Sequence, residues 1–139
     1  MDKDESVGLK AWGTAILRAV VGAVFLVHGA QKFFVMGFAG TAAFMAQVGI
    51  PAPALASVVV IAVEFLGGLA LVVGLFTRWA ATFLAINMVV GILVVHLRAG
   101  FFLPDGYEFA LTLLAANVAL TLSGSGAASV DGVLATRKG

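Results

Sequence analysis

A single carboxylate, Glu64, stands in the middle of an apolar run from Ala52 to Phe76 that holds no other charged residue. A run of that length crosses the hydrocarbon core of a bilayer as one helix, and a carboxylate at its centre costs roughly 2.5–3.5 kcal/mol on insertion scales. Ionisable groups kept at such depth face a bundle interior, find a partner, and mark a ligand site, relay or pathway. The chain must therefore supply other helices to shield Glu64, and Glu64 is the first candidate for chemistry.

The composition supports this. Hydrophobic residues make up 62% of the 139 residues and charged residues only 11%, far from the balance of a soluble domain. Four apolar stretches of about spanning length leave room for one compact bundle, so the expectation is a single all-α, integral membrane four-helix transmembrane domain over 1–139 and no separate soluble catalytic domain. The net charge of +1 is scattered, which gives no nucleic-acid-binding surface. The absence of cysteine removes disulfides, thiolate metal sites, iron–sulfur ligation and dithiol redox chemistry from this chain. The first apolar stretch, AILRAVVGAVFLVHGAQKFF, carries Arg18 inside the run and meets no A-x-A-like cleavage site, so it reads as a retained helix.

Periodicity and punctuation predict spans over 14–34, 53–76, 79–97 and 107–123. A short interfacial or re-entrant helix fits between Gly40 and Gly49, with Pro51 and Pro53 turning the chain into the second span. The link Leu75–Arg78 is tight enough to make the second and third helices antiparallel neighbours. Ser123–Ser129 reads as an exit turn before a short tail. Lys3, Lys10, Arg78, Arg137 and Lys138 fall on one side and only Lys32 and Arg98 on the other. The lysine and arginine bias thus puts both termini in the cytoplasm. The pairs Ala19/Ala23, Ala70/Gly74, Ala81/Ala85 and Ala115/Ala119 are candidates for close helix approach, although alanine is abundant here.

With the first helix running outward, His28, Gln31, Lys32, Glu64, His96, Tyr107 and Glu108 collect in the outer half, and Arg18 in the inner half. The spacing of His28, Gln31 and Lys32 gives one polar stripe on a regular helix, and Arg18 lies on nearly the same face as Lys32. Arg18 from below or His28 from above is the expected partner of Glu64. The plainer alternative is that a buried Arg–Glu pair only fixes helix register. Lys32 and Arg78 sit where basic side chains snorkel to head groups, and Asn87 is either interhelical glue or a ligand contact. A histidine in the outer half can shuttle a proton near neutral pH. His28, His96 and Glu108 could together ligate a metal, but histidines on separate helices carry no diagnostic spacing, so no metal is assigned. Phe33, Phe34, Phe101, Phe102 and Tyr107 form either an interfacial belt or the walls of an apolar ligand's entrance.

Several motifs occur in order along nearly the whole chain. They are Arg18 through Gly22, FLVHG at Phe25–Gly29, Gln31-Lys32-Phe33, GIPAP at Gly49–Pro53, EFLGG at Glu64–Gly68, GLFTR at Gly74–Arg78 and Ile86-Asn87-Met88. Gly100-Phe101-Phe102, Gly106-Tyr107-Glu108 and Ser129-Val130-Asp131 follow. This pattern resembles the DoxX family. The resemblance implies a four-helix bacterial inner-membrane protein. The family takes its name from a small subunit associated with thiosulfate:quinone oxidoreduction, and other members are linked to membrane redox complexes and oxidative-stress defence. Carried over by position, the motif residues are Arg18, His28, Gln31, Lys32, Glu64, Arg78, Asn87, Tyr107 and Glu108.

Three functions follow as expectations. The leading one is a membrane subunit of a redox complex with a protein partner. It binds quinone or a similar apolar redox carrier in the outer half, with His28 or Glu64 handling the proton and Arg18, Gln31, Lys32, Asn87, His96, Tyr107 and Glu108 as the other ligand contacts. The second is a small-solute or proton carrier, which needs a homo-oligomer because four helices are few for a path. The third is a noncatalytic assembly or anchoring module.

Overall fold

The computed structural model describes residues 2–137 and is entirely helical over them. Lys138, one of the residues in the charge asymmetry, lies outside the described residues. The elements are α1 (Lys3–Ala30), α2 (Gly37–Gln47), α3 (Pro53–Val73), α4 (Thr77–Gly91), α5 (Glu108–Ser123) and α6 (Val130–Thr136). Two segments wound as π-helix, Gln31–Met36 and Ile92–His96, continue α1 and α4.

The boundaries follow from capping as much as from hydrophobicity. The first helix begins at Lys3 rather than at residue 14, because Asp2 caps it, accepting from the Lys3 N–H at 2.7 Å, and Asp4 and Glu5 occupy its first turn. Acidic groups there are favoured by the helix dipole and carry the helix through a polar stretch. The second span starts at Pro53, as predicted, but stops at Val73 rather than at residue 76. Gly74 takes the left-handed conformation (φ 71°) and the Leu75 N–H reaches back to Ala70 O at 2.9 Å, the usual glycine stop. The third span starts at Thr77 and the fourth at Glu108. The helix between the first two spans runs Gly37–Gln47, starting earlier than expected, and buries Thr41 and Met45. A further helix, α6, stands where only a tail was expected, started by Ser129, whose hydroxyl accepts from the Gly132 N–H.

α1 with its continuation, α3, and α4 with its continuation are long and apolar enough to cross a membrane. α5, at 16 residues, spans about 24 Å at 1.5 Å per residue. α1 packs mainly on α3 and α4 mainly on α5, while α3 adjoins α4 and α1 meets α5, so the four close into one bundle. α2 packs against α3. The core is Val21, Phe25, Leu71, Ala80, Ala81, Leu84, Leu113 and Leu120. Large apolar residues such as Val20, Val27, Val59, Leu66, Ile86 and Leu122 point outward, as lipid-facing residues do. The protein is a helical membrane bundle in contact with lipid.

Because lipid is as apolar as the core, close packing has to hold such helices together. The predicted small-residue pairs account for part of it. Ala81 is buried and Ala70 and Ala85 half-buried, but Ala19/Ala23 and Ala115/Ala119 face outward. The closest approach uses glycine instead. A Cβ on Gly22 would lie 2.8 Å from the Leu71 Cβ, and one on Gly29 would lie 2.7 Å from the Phe65 Cα. One on Gly68 would collide with the backbone of Leu26.

Candidate functional site

The contact of Gly29 with the Glu64–Phe65 backbone sets α1 directly against the buried carboxylate. Just beyond it, α1 widens into the π segment that begins at Gln31, which turns Lys32 toward α3. Lys32 Nζ lies 2.6 Å from Glu64 Oε2, and Asn87 Nδ2, from α4, donates to Glu64 Oε1 at 3.0 Å. The Glu64 side chain is 6% exposed and that of Lys32 20%. Each carboxylate oxygen thus has its own donor and the charge is matched, the condition for holding a carboxylate in such a place.

Two cavities meet at this carboxylate. The larger, about 430 Å³, lies among α2, α3 and α4. Its walls are apolar, with Met45, Val60, Val63 and Met88 inside and Val59, Phe83, Ile86 and Val90 at its open side. Its polar groups are Lys32, Glu64, Asn87 and His96. The smaller, about 180 Å³, is lined by His28, Glu64 and His96 together with Phe25, Leu103, Pro104, Phe109, Ala110 and Leu113. Glu64, Met88, Gly91 and His96 line both. His96 belongs to the second π segment, so each widened helix end contributes one polar side chain to the cluster, in keeping with the frequency of π-bulges at functional sites.

The DoxX family model matches residues 13–97 of this chain. The chain belongs to the DoxX family. Among similar proteins, one from Bacillus subtilis named "Putative oxidoreductase CatD" is 34% identical over 119 residues, covering 86% of this chain and 84% of that protein. An uncharacterized membrane protein of Mycobacterium tuberculosis is 35% identical over 132 residues, 87% of this chain and 80% of its own. The inner membrane protein YphA of Escherichia coli is 38% identical over 63 residues, 45% and 44% of the two chains. No solved structure matches the chain.

Of the DoxX motif residues, Lys32, Glu64 and Asn87 come together, with His96 beside them, and His28 lines the smaller cavity. Arg18 does not. It is 2% exposed, and its guanidinium is taken up by backbone carbonyls at the end of the bundle that carries α6. Nε donates to Ser125 O (2.9 Å), Nη1 to Leu71 O (2.6 Å) and Val72 O (2.9 Å), and Nη2 to Ala128 O (3.0 Å) and Ala127 O (3.4 Å). Neither expected partner reaches Glu64 among the described residues: the Arg18 fork is already filled by carbonyls, and Lys32 and Asn87, not His28, bond the carboxylate. Gln31 is exposed and lines neither cavity, since the π turn breaks the stripe assumed for a regular helix.

Tyr107 packs edge-on against Phe101, with ring centroids 5.4 Å apart, and Glu108 Oε1 accepts from the Leu103 N–H at 2.8 Å. Both shape the 100–107 loop rather than reach a cavity. No group of three histidine, aspartate or glutamate side chains gathers for a metal among the described residues. Glu108 is held by the loop, and His96 Nδ1 lies 2.9 Å from Asp105 O. Arg78 is exposed and donates to Thr121 O.

Sequence reasoning missed several residues. Asp131 accepts from the Phe76 and Thr77 N–H groups at 2.8 and 2.9 Å and so caps α4. Its place in the Ser129-Val130-Asp131 motif was the available signal. Asn117 is fully buried, with Nδ2 bonded to Leu113 O, and its Oδ1, like Thr41 Oγ1 and Thr77 Oγ1, has no partner among the described residues.

Proposed function

We propose that this protein is a membrane subunit of a redox system and that a quinone, or a similar apolar carrier with a carbonyl head, lodges in the groove among α2, α3 and α4. The observation that carries the reading is the groove itself: about 430 Å³ of apolar space ending on Lys32, Glu64, Asn87 and His96. That size and that pairing of apolar walls with a few convergent polar groups are typical of small-molecule sites. Its open side is framed by outward-facing Val59, Phe83, Ile86 and Val90, so a lipid-dissolved molecule enters sideways without passing through water.

The residues suit a carbonyl head. Lys32 and Asn87 each use one N–H on Glu64, which leaves two ammonium hydrogens and one amide hydrogen for an incoming oxygen. Glu64 and His96 can hold or release protons beside that oxygen. A bound quinone supplies two-electron, two-proton redox chemistry. With no cysteine in the chain, thiol or iron–sulfur electron transfer falls to a partner protein. The name of the Bacillus subtilis relative supports the redox reading, and that of the Escherichia coli relative supports placement in a bacterial inner membrane. Lys3, Lys10, Arg78 and Arg137, set against Lys32 and Arg98, favour termini on the cytoplasmic side.

The test is extraction of small molecules from protein purified in mild detergent with native lipid, analysed by mass spectrometry. Quinone should accompany the wild type and be lost from Ile86→Trp, which fills the groove, and from Glu64→Gln. A wild type that never retains or binds added quinone refutes the reading and turns attention to assembly with a partner.

A further inference from the structure

The smaller cavity shares Glu64 and His96 with the groove, is less than half its volume and adds His28. Three ionisable side chains face it, namely His28 from α1, Glu64 from α3 and His96 from the π segment that continues α4. α5 contributes only Phe109, Ala110 and Leu113, and the loop beyond α4 contributes Leu103, Pro104 and Gly106. Nearby charged residues include Lys32, paired with Glu64, Glu108, bonded to the Leu103 N–H, and Asp105, whose carbonyl meets His96. We infer that this chamber is a water-filled entry through which protons reach the buried Glu64–Lys32 pair from the end of the bundle carrying the 97–107 loop, with His28 and His96 as its proton-exchanging groups.

The chamber's volume and the ionisable groups set in an otherwise apolar wall both support water. About 180 Å³ holds about six molecules at ~30 Å³ each, and a site hydrates when water finds two to four polar partners. Left dry, His96 Nε2 and the His28 ring would lack the partners that water supplies, at a cost that favours filling.

The histidines suit transfer. A peptide carbonyl cannot donate, so the 2.9 Å contact of His96 Nδ1 with Asp105 O assigns the proton to Nδ1. Neutral His96 then offers Nε2 as an acceptor. His28 is exposed and lines the chamber, where it can exchange protons with the surface. At the inner end, Gly91 lines both cavities, and a Cβ there would meet nothing within 4 Å. Glu64 and Gly91 thus stand on the walls of both chamber and groove. This entry is independent of what occupies the groove, and it stands or falls without a quinone.

The native absence of cysteine gives a direct test in sealed vesicles, where each single cysteine variant carries one thiol. Ala99→Cys, on the exposed loop, and Ala135→Cys, on exposed α6, report which end faces which side. Ala110→Cys probes the chamber, and Ile86→Cys probes the lipid-facing groove. With a small charged, membrane-impermeant methanethiosulfonate reagent, Ala110→Cys should react from the same side as Ala99→Cys. It should react about tenfold or more faster than Ile86→Cys, since reaction requires a hydrated thiolate and one unit of thiol pKa is tenfold in thiolate.

Reaction from the Ala135→Cys side, or none until the protein is denatured, overturns the entry. Water-to-carboxylate magnetisation transfer in labelled protein in lipid gives a second reading that needs no cysteine. A Glu64 signal, assigned by its loss in Glu64→Gln, should receive magnetisation from water in wild type. Its absence in folded wild type refutes a hydrated path.

Discussion

Among the described residues two charged side chains are buried, Arg18 and Glu64, and they are satisfied in opposite ways. Every hydrogen bond of the Arg18 guanidinium is to a backbone carbonyl, drawn from the last turn of α3 and from the segment leading into α6. Both contacts of Glu64 are to side chains, one an ammonium and one an amide, and both neighbouring spaces are cavities. Backbone acceptors cannot turn away without undoing a helix end, whereas Lys32 and Asn87 can change partners by rotating. One bundle thus hosts a fixed clasp at one end and an exchangeable cluster nearer the other. Burial alone does not separate function from structure; the nature of the partners does.

The largest expected effect breaks the clasp. Arg18→Met leaves four part-buried carbonyls without a donor, Leu71 O keeping the Gly74 N–H. Unpaired acceptors cost about 1–3 kcal/mol each when fully buried, so the loss should be about 3 kcal/mol or more. The variant should melt far below wild type in detergent, and Arg18→Lys, which keeps the charge but not the planar fork, should recover only part. A wild-type melting temperature for Arg18→Met would remove the contrast between the two charges. Next comes Gly29→Ala, whose methyl would press on the Phe65 Cα at 2.7 Å. Overpacking of this kind costs about 1–3 kcal/mol. Because it levers α1 from α3 beside the ion pair, it should also weaken quinone retention, which Arg18→Lys should leave largely intact if folded.

The apolar run around Glu64 makes its burial legible in the sequence, and with it the bundle and the placing of Lys32 and His96 in one half, whereas Asn87 reads only as interhelical glue or a ligand contact. The partner of Glu64 was misread for a local reason. Regular helical spacing puts His28, Gln31 and Lys32 on one stripe, but the chain widens at Gln31 and the register changes there. The partners of Arg18 were illegible in principle, because backbone carbonyls exist at every residue and leave no mark in composition. Gly22 and Gly29 sit seven residues apart, on one face of α1. Attention to the more numerous alanines obscured them. α6 lacks a long apolar pattern, and only its Ser129 cap announced it.

A cycle of variants sharpens the view of Glu64 as exchangeable. Glu64→Gln keeps an oxygen for Asn87 and loses the ion pair, and Lys32, partly exposed, can turn toward water. Its stability cost should be about 1–2 kcal/mol, in the range of one hydrogen bond to a charged group. Adding Lys32→Met to it should not cost the sum of the two changes, since replacing both members of a buried pair is often close to neutral. Thermal melts of the two single variants and the double variant measure that coupling. Strictly additive losses would mean that Lys32 and Glu64 do not act as a pair.

The smallest effect is expected at Gln31, and it is informative because of that. If α1 continued as a regular helix, Gln31 would share the polar stripe, and its loss would disturb the cluster. With the π turn, it faces outward and lines neither cavity. Gln31→Ala should therefore shift stability by no more than about 0.5 kcal/mol, as surface changes do, and leave ligand retention unchanged, while Lys32→Ala abolishes it. Equal losses from the two neighbours would place both side chains on the ligand, restore the regular helical register and undo the distinction between a widened helix end that aims one residue and an ordinary one that presents two.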